Sequence, residues 1–462
     1  MFNEKVYTER RNKLRKQINS GIILILGNID SPMNYAANIY HFRQDSSYLY
    51  FFGIDMPGMA GILDVDNNKD YIFGNDVDIE DIIWTGPQES IKSKAFKVGI
   101  NYTETFTKLS EYIGNAIKEN KKIHFLPPYR SDNKILLNKL LNINIDNLKE
   151  NSSVELIKAI VNIRSIKEPE EIKEIERYME VAYMMHVTAM KMAKAGVHES
   201  AIAGIMEGIA LSCGGAVSFP IILSVRGEIL HGHDHSNIMK DGDLLLVDAG
   251  VESPMHYATD HTRVIPVSGK FTQKQKEIYQ IVLDSQMAAI EAIKPGIAFQ
   301  SIHLLASKVI AEGLKAIGLM KGDIEEAVKQ GAHALFFPHG LGHMMGIDVH
   351  DMEDIGQNYV GYDDEIKPID QFGTAYLRLG RRLQEGFVIT VEPGIYFIPA
   401  LIDQWKAEKK FTEFINYEKI EEYRTFGGVR IEDDVLVTND GYKVLGRPIP
   451  KTIDEIEALM KS

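Results

Sequence analysis

Three stretches of this chain, each rich in β-type residues, carry a carboxylate within the apolar run or at its end. They are LLLVDAG (244–250) with Asp248, FVITVEPGIYF (387–397) with Glu392, and GGVRIEDDVLVT (427–438) with Glu432. A buried carboxylate without a cation or a hydrogen-bond donor costs several kcal/mol. The fold must therefore bring each of these strands to a partner that neutralises its acid.

Further candidate ligands lie between these stretches. Asp260 follows in HYATDHTRV, on what we expect to be the next strand of a hairpin. The segment PHGLGHMMGIDVHD (338–351) contains His339, His343 and His350 among glycines, which let a backbone turn sharply and aim imidazoles inward. One histidine in such a segment would more often be structural, whereas three favour a site.

The stretch 427–438 alternates with a period of two. The alternation predicts one strand over 428–438, with Arg430, Glu432 and Asp434 on one face and mostly apolar side chains on the other. A central strand that presents Arg and Glu together forms either a buried ion pair or part of a metal site.

Four carboxylates and one imidazole emerge as candidate metal ligands. They are Asp248, Asp260, His343, Glu392 and Glu432. This set suits two hard or borderline divalent ions, with Mn²⁺ favoured over a thiolate-loving metal. Two such ions roughly 3.5–4 Å apart can share a bridging water and lower its pKa toward about 7, which would supply hydroxide for attack on a carbonyl.

The order of apolar runs predicts an α/β (α+β) chain with two domains, at 1–155 and 156–462. A long helix beginning at Pro169 opens the second domain. Predicted strands lie at 21–27, 61–66, 70–74, 122–128, 218–225, 243–248, 256–266, 387–391 and 428–438, and predicted amphipathic helices at 273–293 and 302–317.

Composition bears on partners and compartment. The 65 acidic and 51 basic residues give a formal net charge of −14, without a dense basic cluster beyond the first helix, so no nucleic-acid partner is expected. The early apolar run 22–26 is too short to span a bilayer, and the charged N-terminus lacks a signal-peptide core. The single cysteine, Cys213, fits a reducing compartment. We expect a cytoplasmic protein with no membrane partner.

Four blocks resemble, in the same order, the signature blocks of the aminopeptidase P and prolidase family, the proline-directed branch of the pita-bread metallopeptidases. They are LLLVDAG, HGLGHMMGIDVHD, TVEPGIYF and GGVRIEDD, and YHFRQDSSYLYFFG (40–53) resembles a segment of the family's N-terminal domain. One block alone would be weak, but the set is highly specific. The resemblance implies a smaller N-terminal α/β domain, followed by a C-terminal pita-bread (creatinase/aminopeptidase-like) catalytic domain.

The resemblance also implies roles for the site residues. It assigns the same five metal ligands, and it places His231, His339 and His350 around the active site. His231 and His350 would stabilise the gem-diolate or bind the proline side of the substrate, Glu392 would shuttle a proton to the leaving nitrogen, and Arg430 would brace the site.

Two places depart from the family's usual pattern. ESPMHYAT contains one extra residue between the two aspartates, which a bulge could absorb. The block HGHDHSN leaves His231, His233 and His235 as candidates for one catalytic position, and the spacing to Asp248 favours His231.

The family divides by substrate length. A dipeptidase must bind the proline carboxylate, and Arg378 is the candidate bidentate partner, with a solvated basic turn as the alternative. The excursion 398–424 looks like that of a prolidase, whereas the YLYFFG block is closer to aminopeptidase P. We expect a Xaa-Pro aminopeptidase, with a Xaa-Pro dipeptidase as the close alternative, acting on small peptides with proline second.

Other readings of the same resemblance fit less well. A non-catalytic peptide-binding module and a metal-free hydrolase of creatinase type are both expected to have lost metal ligands, and this chain retains all five. A methionine aminopeptidase would not normally contain so large an N-terminal domain. The resemblance further implies a homo-oligomer, either a dimer or a tetramer.

Overall fold

The computed structural model describes residues 1–461 and divides them into two compact units. The first unit comprises residues 1–164 together with 353–359, and the second comprises 165–352 together with the residues from Val360 onward. The mixed α/β class is confirmed. The boundary predicted between residues 155 and 156 falls within a helix, Val154–Arg164, and stays a prediction.

The first unit is built around a five-stranded sheet with the order β4-β3-β2-β1-β5. Its strands are β1 (Ile22–Leu26), β2 (Ala60–Asp64), β3 (Lys69–Phe73), β4 (Tyr102–Glu104) and β5 (Ile123–His124). Its helices are α1 (Glu4–Arg15), α2 (Ser46–Phe52), α3 (Ile79–Thr85), α4 (Ile91–Phe96), α5 (Lys108–Lys118), α6 (Ser131–Leu141), α7 (Leu148–Asn151) and α8 (Val154–Arg164).

The continuous apolar sequence IILIL of β1 follows from its central position. It pairs antiparallel with β2 and parallel with β5. Ile22 and Leu24 pack in one core with Leu109 and Ile113 of the amphipathic helix α5. The four strands predicted in this unit are confirmed, although β5 is shorter than its apolar run.

The second unit combines long helices with several small antiparallel sheets. Its helices are α9 (Pro169–Met192), α10 (Glu199–Ser212), α11 (Gln273–Glu291), α12 (Phe299–Ala316), α13 (Ile324–Gln330), α15 (Pro399–Ala407), α16 (Tyr417–Ile420) and α17 (Ile453–Lys461), with α14 (Glu353–Gly361) crossing the division between units. Its strands are β6 (Ala216–Val217), β7 (Ile222–Ser224), β8 (Leu244–Ala249), β9 (Val251–Glu252), β10 (His261–Pro266), β11 (Val388–Val391), β12 (Gly394–Tyr396), β13 (Gly428–Arg430), β14 (Asp433–Val437) and β15 (Tyr442–Val444).

The helix predicted from Pro169 is confirmed as α9. Proline occupies its first turn, where a missing amide hydrogen costs nothing, and a capping box between Glu168 and Glu171 satisfies the free amides there. No described helix of the model is both long and apolar enough to cross a membrane.

The prediction of one strand over 428–438 is wrong. The chain forms β13, leaves the ladder at Ile431 and Glu432, and resumes as β14. β13 pairs with β12, whereas β14 pairs with β11 and β15. Val435 and Val437 resume the apolar phase of Val429 and Ile431, which suggested one strand, although Asp433 interrupts that face at the break.

A buried ion pair fixes the entry to α9 against the segment 343–351. The Lys167 ammonium lies 2.8 Å from the Asp351 carboxylate, and both side chains are 1% exposed. Gly346 is required beside them, because a Cβ there would lie 2.6 Å from Asp351 Oδ2 and 2.8 Å from Lys167 Cε. The pair therefore holds the end of the histidine-rich segment in place.

Removing one partner of this pair should destabilise the protein strongly. We expect Lys167→Met to lower the free energy of unfolding by about 3–5 kcal/mol, because it removes the cation from beside a carboxylate whose side chain is only 1% exposed. The double variant Lys167→Met/Asp351→Leu should recover most of that loss. Urea denaturation measures both.

The matched control is Lys308→Met, which breaks a pair with Glu325 whose side chains are 38% and 79% exposed. We expect a change of less than about 1 kcal/mol there. Equal losses for Lys167→Met and Lys308→Met would contradict the role given to the buried pair.

Candidate active site

A cavity of about 530 Å³ in the second unit collects all the site residues that the sequence predicts. The lining includes Asp248, Asp260, His343, Glu392, Glu432, His231, His339, His350, Arg430 and Arg378. These residues come from distant parts of the sequence, so the fold brings them together. Their individual roles stay predictions.

The acids lie within strands or directly beside them, but the prediction that Asp260 itself lies on a strand is wrong, because β10 begins one residue later, at His261. Asp248 lies in β8, opposite Ile222 of β7 and Thr262 of β10. Glu392 follows the last residue of β11, and Glu432 occupies the break between β13 and β14. At a strand end or at a break in a ladder, a side chain can point into a cavity while the rest of its strand stays buried.

The segment that carries His343 is positioned by the edge of β11. The Thr390 amide donates to the His343 carbonyl at 3.0 Å, and the Glu392 amide donates to the Leu341 carbonyl at 2.8 Å. Gly342 permits this close approach, since a Cβ at that position would lie 2.0 Å from the Thr390 carbonyl oxygen. The glycines of this segment therefore serve its packing against β11.

The ring of His343 is oriented as a ligand. Its Nδ1 lies 3.1 Å from the Met344 carbonyl, which only accepts, so Nδ1 carries the hydrogen and Nε2 keeps a lone pair. Nε2 lies 3.5 Å from Asp260 Oδ2 and 3.7 Å from Glu392 Oε1. Ligand atoms of Asp260, His343 and Glu432 all lie within 4.8 Å of one another.

The carboxylates lack sufficient compensation from the protein itself. Among the described residues, Asp248 Oδ1 and Asp260 Oδ1 are buried without a hydrogen-bond partner. Burial and the charges of neighbouring carboxylates raise the pKa of Asp260 and of Glu432 well above their usual values. Burial likewise raises the pKa of Glu392 to about 7. Divalent cations would relieve both the desolvation and the repulsion, so this donor set fits a metal centre.

Arg430 places a positive charge directly against the carboxylate cluster. Its NH2 group donates to Asp248 Oδ2 at 2.7 Å, and its Nε donates to Thr262 Oγ1 at 3.1 Å. The Thr262 hydroxyl in turn donates to Glu432 Oε2 at 2.7 Å. Arg430 thus holds Oδ2 of Asp248, while Oδ1 is left for another partner.

His339 is held by hydrogen bonds at both ring nitrogens. Its Nδ1 donates to the Gly340 carbonyl at 2.8 Å, and its Nε2 lies 2.9 Å from the Tyr396 hydroxyl, which accepts from Arg430 at 2.7 Å. Burial lowers the pKa of His339 to about 3, so the ring is neutral. His339 therefore lines the cavity as a fixed neighbour of Glu392, 3.9 Å away.

The three histidines of the HGHDHSN block separate in the structure. His231 and His233 line the cavity, whereas Nδ1 of His235 bonds to the Leu223 carbonyl at 3.0 Å. The assignment of the catalytic position to His231 stays a prediction. His350 packs its ring 4.2 Å from the His343 ring, centroid to centroid.

Several lining residues were not foreseen from the sequence. They are Phe219, Pro220, Ile222, Leu230, Val349 and Tyr376. Tyr396 and Thr262, which form hydrogen bonds with Arg430, were not foreseen either. Apolar side chains in strands and loops give no signal that separates a cavity wall from a core. Tyr396 lies in the TVEPGIYF block, four residues after Glu392, and this nearness to a candidate ligand was the sequence feature that could have indicated a place near the site.

Comparison with known proteins identifies the class to which this fold and site belong. The model of metallopeptidase family M24 matches residues 173–439, and the model of the aminopeptidase P N-terminal domain matches residues 7–124. The chain belongs to metallopeptidase family M24. The resemblance inferred from the four blocks and the pita-bread fold of the catalytic domain are thereby confirmed.

Individual relatives carry two different names. Human Xaa-Pro dipeptidase is 32% identical over 97% of this chain and 91% of its own length. A probable Xaa-Pro aminopeptidase of Leptosphaeria maculans is 32% identical over 91% of this chain and 72% of its own. The solved Pseudomonas aeruginosa aminopeptidase PepP superposes with a TM-score of 0.82, at 28% identity over 100% of this chain and 98% of that one.

The metal centre predicts a thermal shift. After chelation, Mn²⁺ at about a hundred times its dissociation constant should stabilise the protein by about 2.7 kcal/mol, because only the folded chain assembles the ligands. Asp260→Asn should raise the stability of the chelated protein by reducing carboxylate repulsion, and it should diminish the Mn²⁺ shift. Differential scanning calorimetry measures both effects.

Asp284→Asn, an exposed change on α11, is the control and should retain the full Mn²⁺ shift. An undiminished shift in Asp260→Asn would mean that Mn²⁺ binds elsewhere.

Proposed function

We propose that this protein is a dinuclear-metal peptidase that hydrolyses the bond between an N-terminal residue and a following proline. The observation that carries the proposal is the convergence of four carboxylates and the lone-pair nitrogen of His343 on one cavity. Membership of the M24 metallopeptidases and relatives named for Xaa-Pro peptide bonds support the reaction and the substrate class.

The five candidate ligands would hold two divalent ions, with Mn²⁺ as the expected metal. When bound, such ions lower the pKa of a water toward about 7 and polarise the scissile carbonyl. Arg430 would keep Asp248 oriented by its 2.7 Å bond to Oδ2, and Thr262 would do the same for Glu432.

The remaining polar side chains of the cavity would handle the proton and the developing oxyanion. Glu392 is partly exposed to the cavity, so it would move a proton to the leaving nitrogen of proline. His231 and His350 would donate hydrogen bonds to the oxyanion. His339, bonded at both ring nitrogens, would fix the position of Glu392 and take no proton itself.

The substrate we favour is a peptide longer than two residues. Several lining side chains are exposed to solvent, Tyr376 among them, so the cavity has room for chain beyond the proline. Similarity to solved aminopeptidases P over 98% of their length supports this choice.

A Xaa-Pro dipeptidase is the second candidate. Arg378 lines the cavity, and a guanidinium there could bind the carboxylate of a C-terminal proline in a bidentate manner. The human relative named Xaa-Pro dipeptidase favours this alternative. A non-catalytic peptide-binding module is the remoter one. The identity of the metal, a cytoplasmic location and assembly into a dimer or tetramer also stay predictions.

The test compares Ala-Pro with Ala-Pro-Ala after chelation and Mn²⁺ add-back. We expect kcat/KM for the tripeptide to equal or exceed that for the dipeptide, because the open cavity accepts the third residue. His343→Ala should reduce the hydrolysis of both by about a hundredfold or more, because it removes a metal ligand.

Arg378→Ala tests the dipeptidase alternative. Arg382→Ala is the matched control, since Arg382 lies in the same segment and pairs with exposed Glu365. A dipeptide preference of tenfold or more, lost in Arg378→Ala and kept in Arg382→Ala, would make the protein a dipeptidase. Metal-independent binding without cleavage of either peptide would favour the binding module.

A further inference from the structure

The rim of the cavity carries an aromatic side chain that the proposed chemistry does not use. Tyr376 lines the cavity and is 56% exposed, whereas Asp260, His343 and Glu432 are at most 5% exposed. The metal-ligand candidates therefore lie at the floor of the cavity, and Tyr376 lies at its mouth.

Tyr376 belongs to a row of aromatic rings. Its ring centre is 6.1 Å from that of Phe372, and the Phe372 ring centre is 5.7 Å from that of Trp405, with edge-to-face geometry in both pairs. Trp405 is buried at 3% exposure, whereas Phe372 is 39% exposed. We call the two exposed rings, Phe372 and Tyr376, the aromatic platform; Trp405 anchors it from within the fold.

The backbone beneath Tyr376 is held in place. The Tyr376 amide donates to the Gly373 carbonyl at 3.1 Å, and the Tyr362 hydroxyl donates to the Leu377 carbonyl at 2.7 Å. A Cβ on Gly340 would lie 3.0 Å from the Tyr376 carbonyl oxygen, so this segment packs directly on the histidine-rich loop. A ring on such a support loses little freedom when it contacts a ligand.

The part of a substrate that reaches this rim follows from the direction of the chain. With the scissile bond at the floor, an aminopeptidase substrate has one residue on the amino side, so any chain that leaves the cavity comes after the proline. Arg378 lines the same cavity two residues beyond Tyr376, and its guanidinium suits a terminal carboxylate. On this side of the cavity, the chain after the proline would pass Tyr376 and Arg378.

We propose that the aromatic platform is a subsite for an apolar side chain on the third residue of the substrate. The inference rests on the proposed aminopeptidase function and narrows its substrates to Xaa-Pro peptides with an aromatic or large aliphatic third residue. Contact with Tyr376 removes apolar surface of that side chain from water, and an aromatic side chain gains a ring–ring contact as well.

The test compares Ala-Pro-Phe with Ala-Pro-Gly as substrates of the Mn²⁺-loaded enzyme. We expect kcat/KM to be about tenfold higher for Ala-Pro-Phe, mainly through a lower KM, because the gain is in binding. Tyr376→Ala should bring this ratio close to one, and Tyr376→Phe, which keeps the ring, should retain most of it. Tyr442→Ala removes a 38% exposed tyrosine of β15 and should keep the full ratio.

The outcomes separate the subsite from the proposed function. Cleavage of both tripeptides with a ratio near one in the unmodified enzyme, or with a ratio that survives Tyr376→Ala, would overturn the subsite and leave the aminopeptidase activity standing. An equal loss on both substrates in Tyr376→Ala also leaves the ratio intact, so it would count against the subsite. Failure to cleave either tripeptide would overturn the function on which the inference rests.

Discussion

The mutual repulsion of buried carboxylates governs the architecture of the second unit. Asp248, Asp260 and Glu432 are each less than a tenth exposed, and burial together with their neighbours' charges raises the pKa of Asp260 and Glu432. Such a cluster is costly unless cations and donors surround it. The Arg430 charge offsets part of this cost through its bond to Asp248. Asp248 Oδ1 and Asp260 Oδ1, which lack a hydrogen-bond partner among the described residues, mark where further positive charge is needed.

Strand pairing and hydrogen bonds around the carboxylate cluster hold the acids in place despite this repulsion. Antiparallel β8 and β10 fix Asp248 beside Thr262, while the Asp260 amide donates to the Asp434 carboxylate at 2.9 Å. From behind, Arg263 donates to the Glu432 carbonyl at 2.7 Å. Each acid is therefore anchored through its own backbone or through a neighbouring side chain, which leaves other carboxylate oxygens for a ligand. Hydrogen bonds of this kind orient the candidate ligand side chains.

Several of the candidate ligands could be predicted from their local sequence. Asp248 and Glu392 at the ends of apolar runs, and His343 among glycines, are visible without a structure. The ladder break at Glu432 was not predicted, because the apolar residues on both sides of it share one period-two phase despite the polar Asp433 between them. The hydrogen bonds of Arg430 with Thr262 and Tyr396 could not be predicted either, because a single polar residue within an apolar strand produces no periodic pattern.

The substrate side of the site was less predictable for a related reason. The platform formed by Phe372 and Tyr376 depends on the packing of Trp405, which lies in a different segment of the chain. Arg378 stood out as a charge, but only the cavity shows that it and Tyr376 share one rim.

The most direct test of the account is diffraction from crystals grown with Mn²⁺, with data collected at the manganese absorption edge. We expect two anomalous peaks roughly 3.5–4 Å apart, both coordinated by the set of Asp248, Asp260, His343, Glu392 and Glu432. Peaks confined to other parts of the molecule, or a cavity without manganese at saturating concentration, would contradict it.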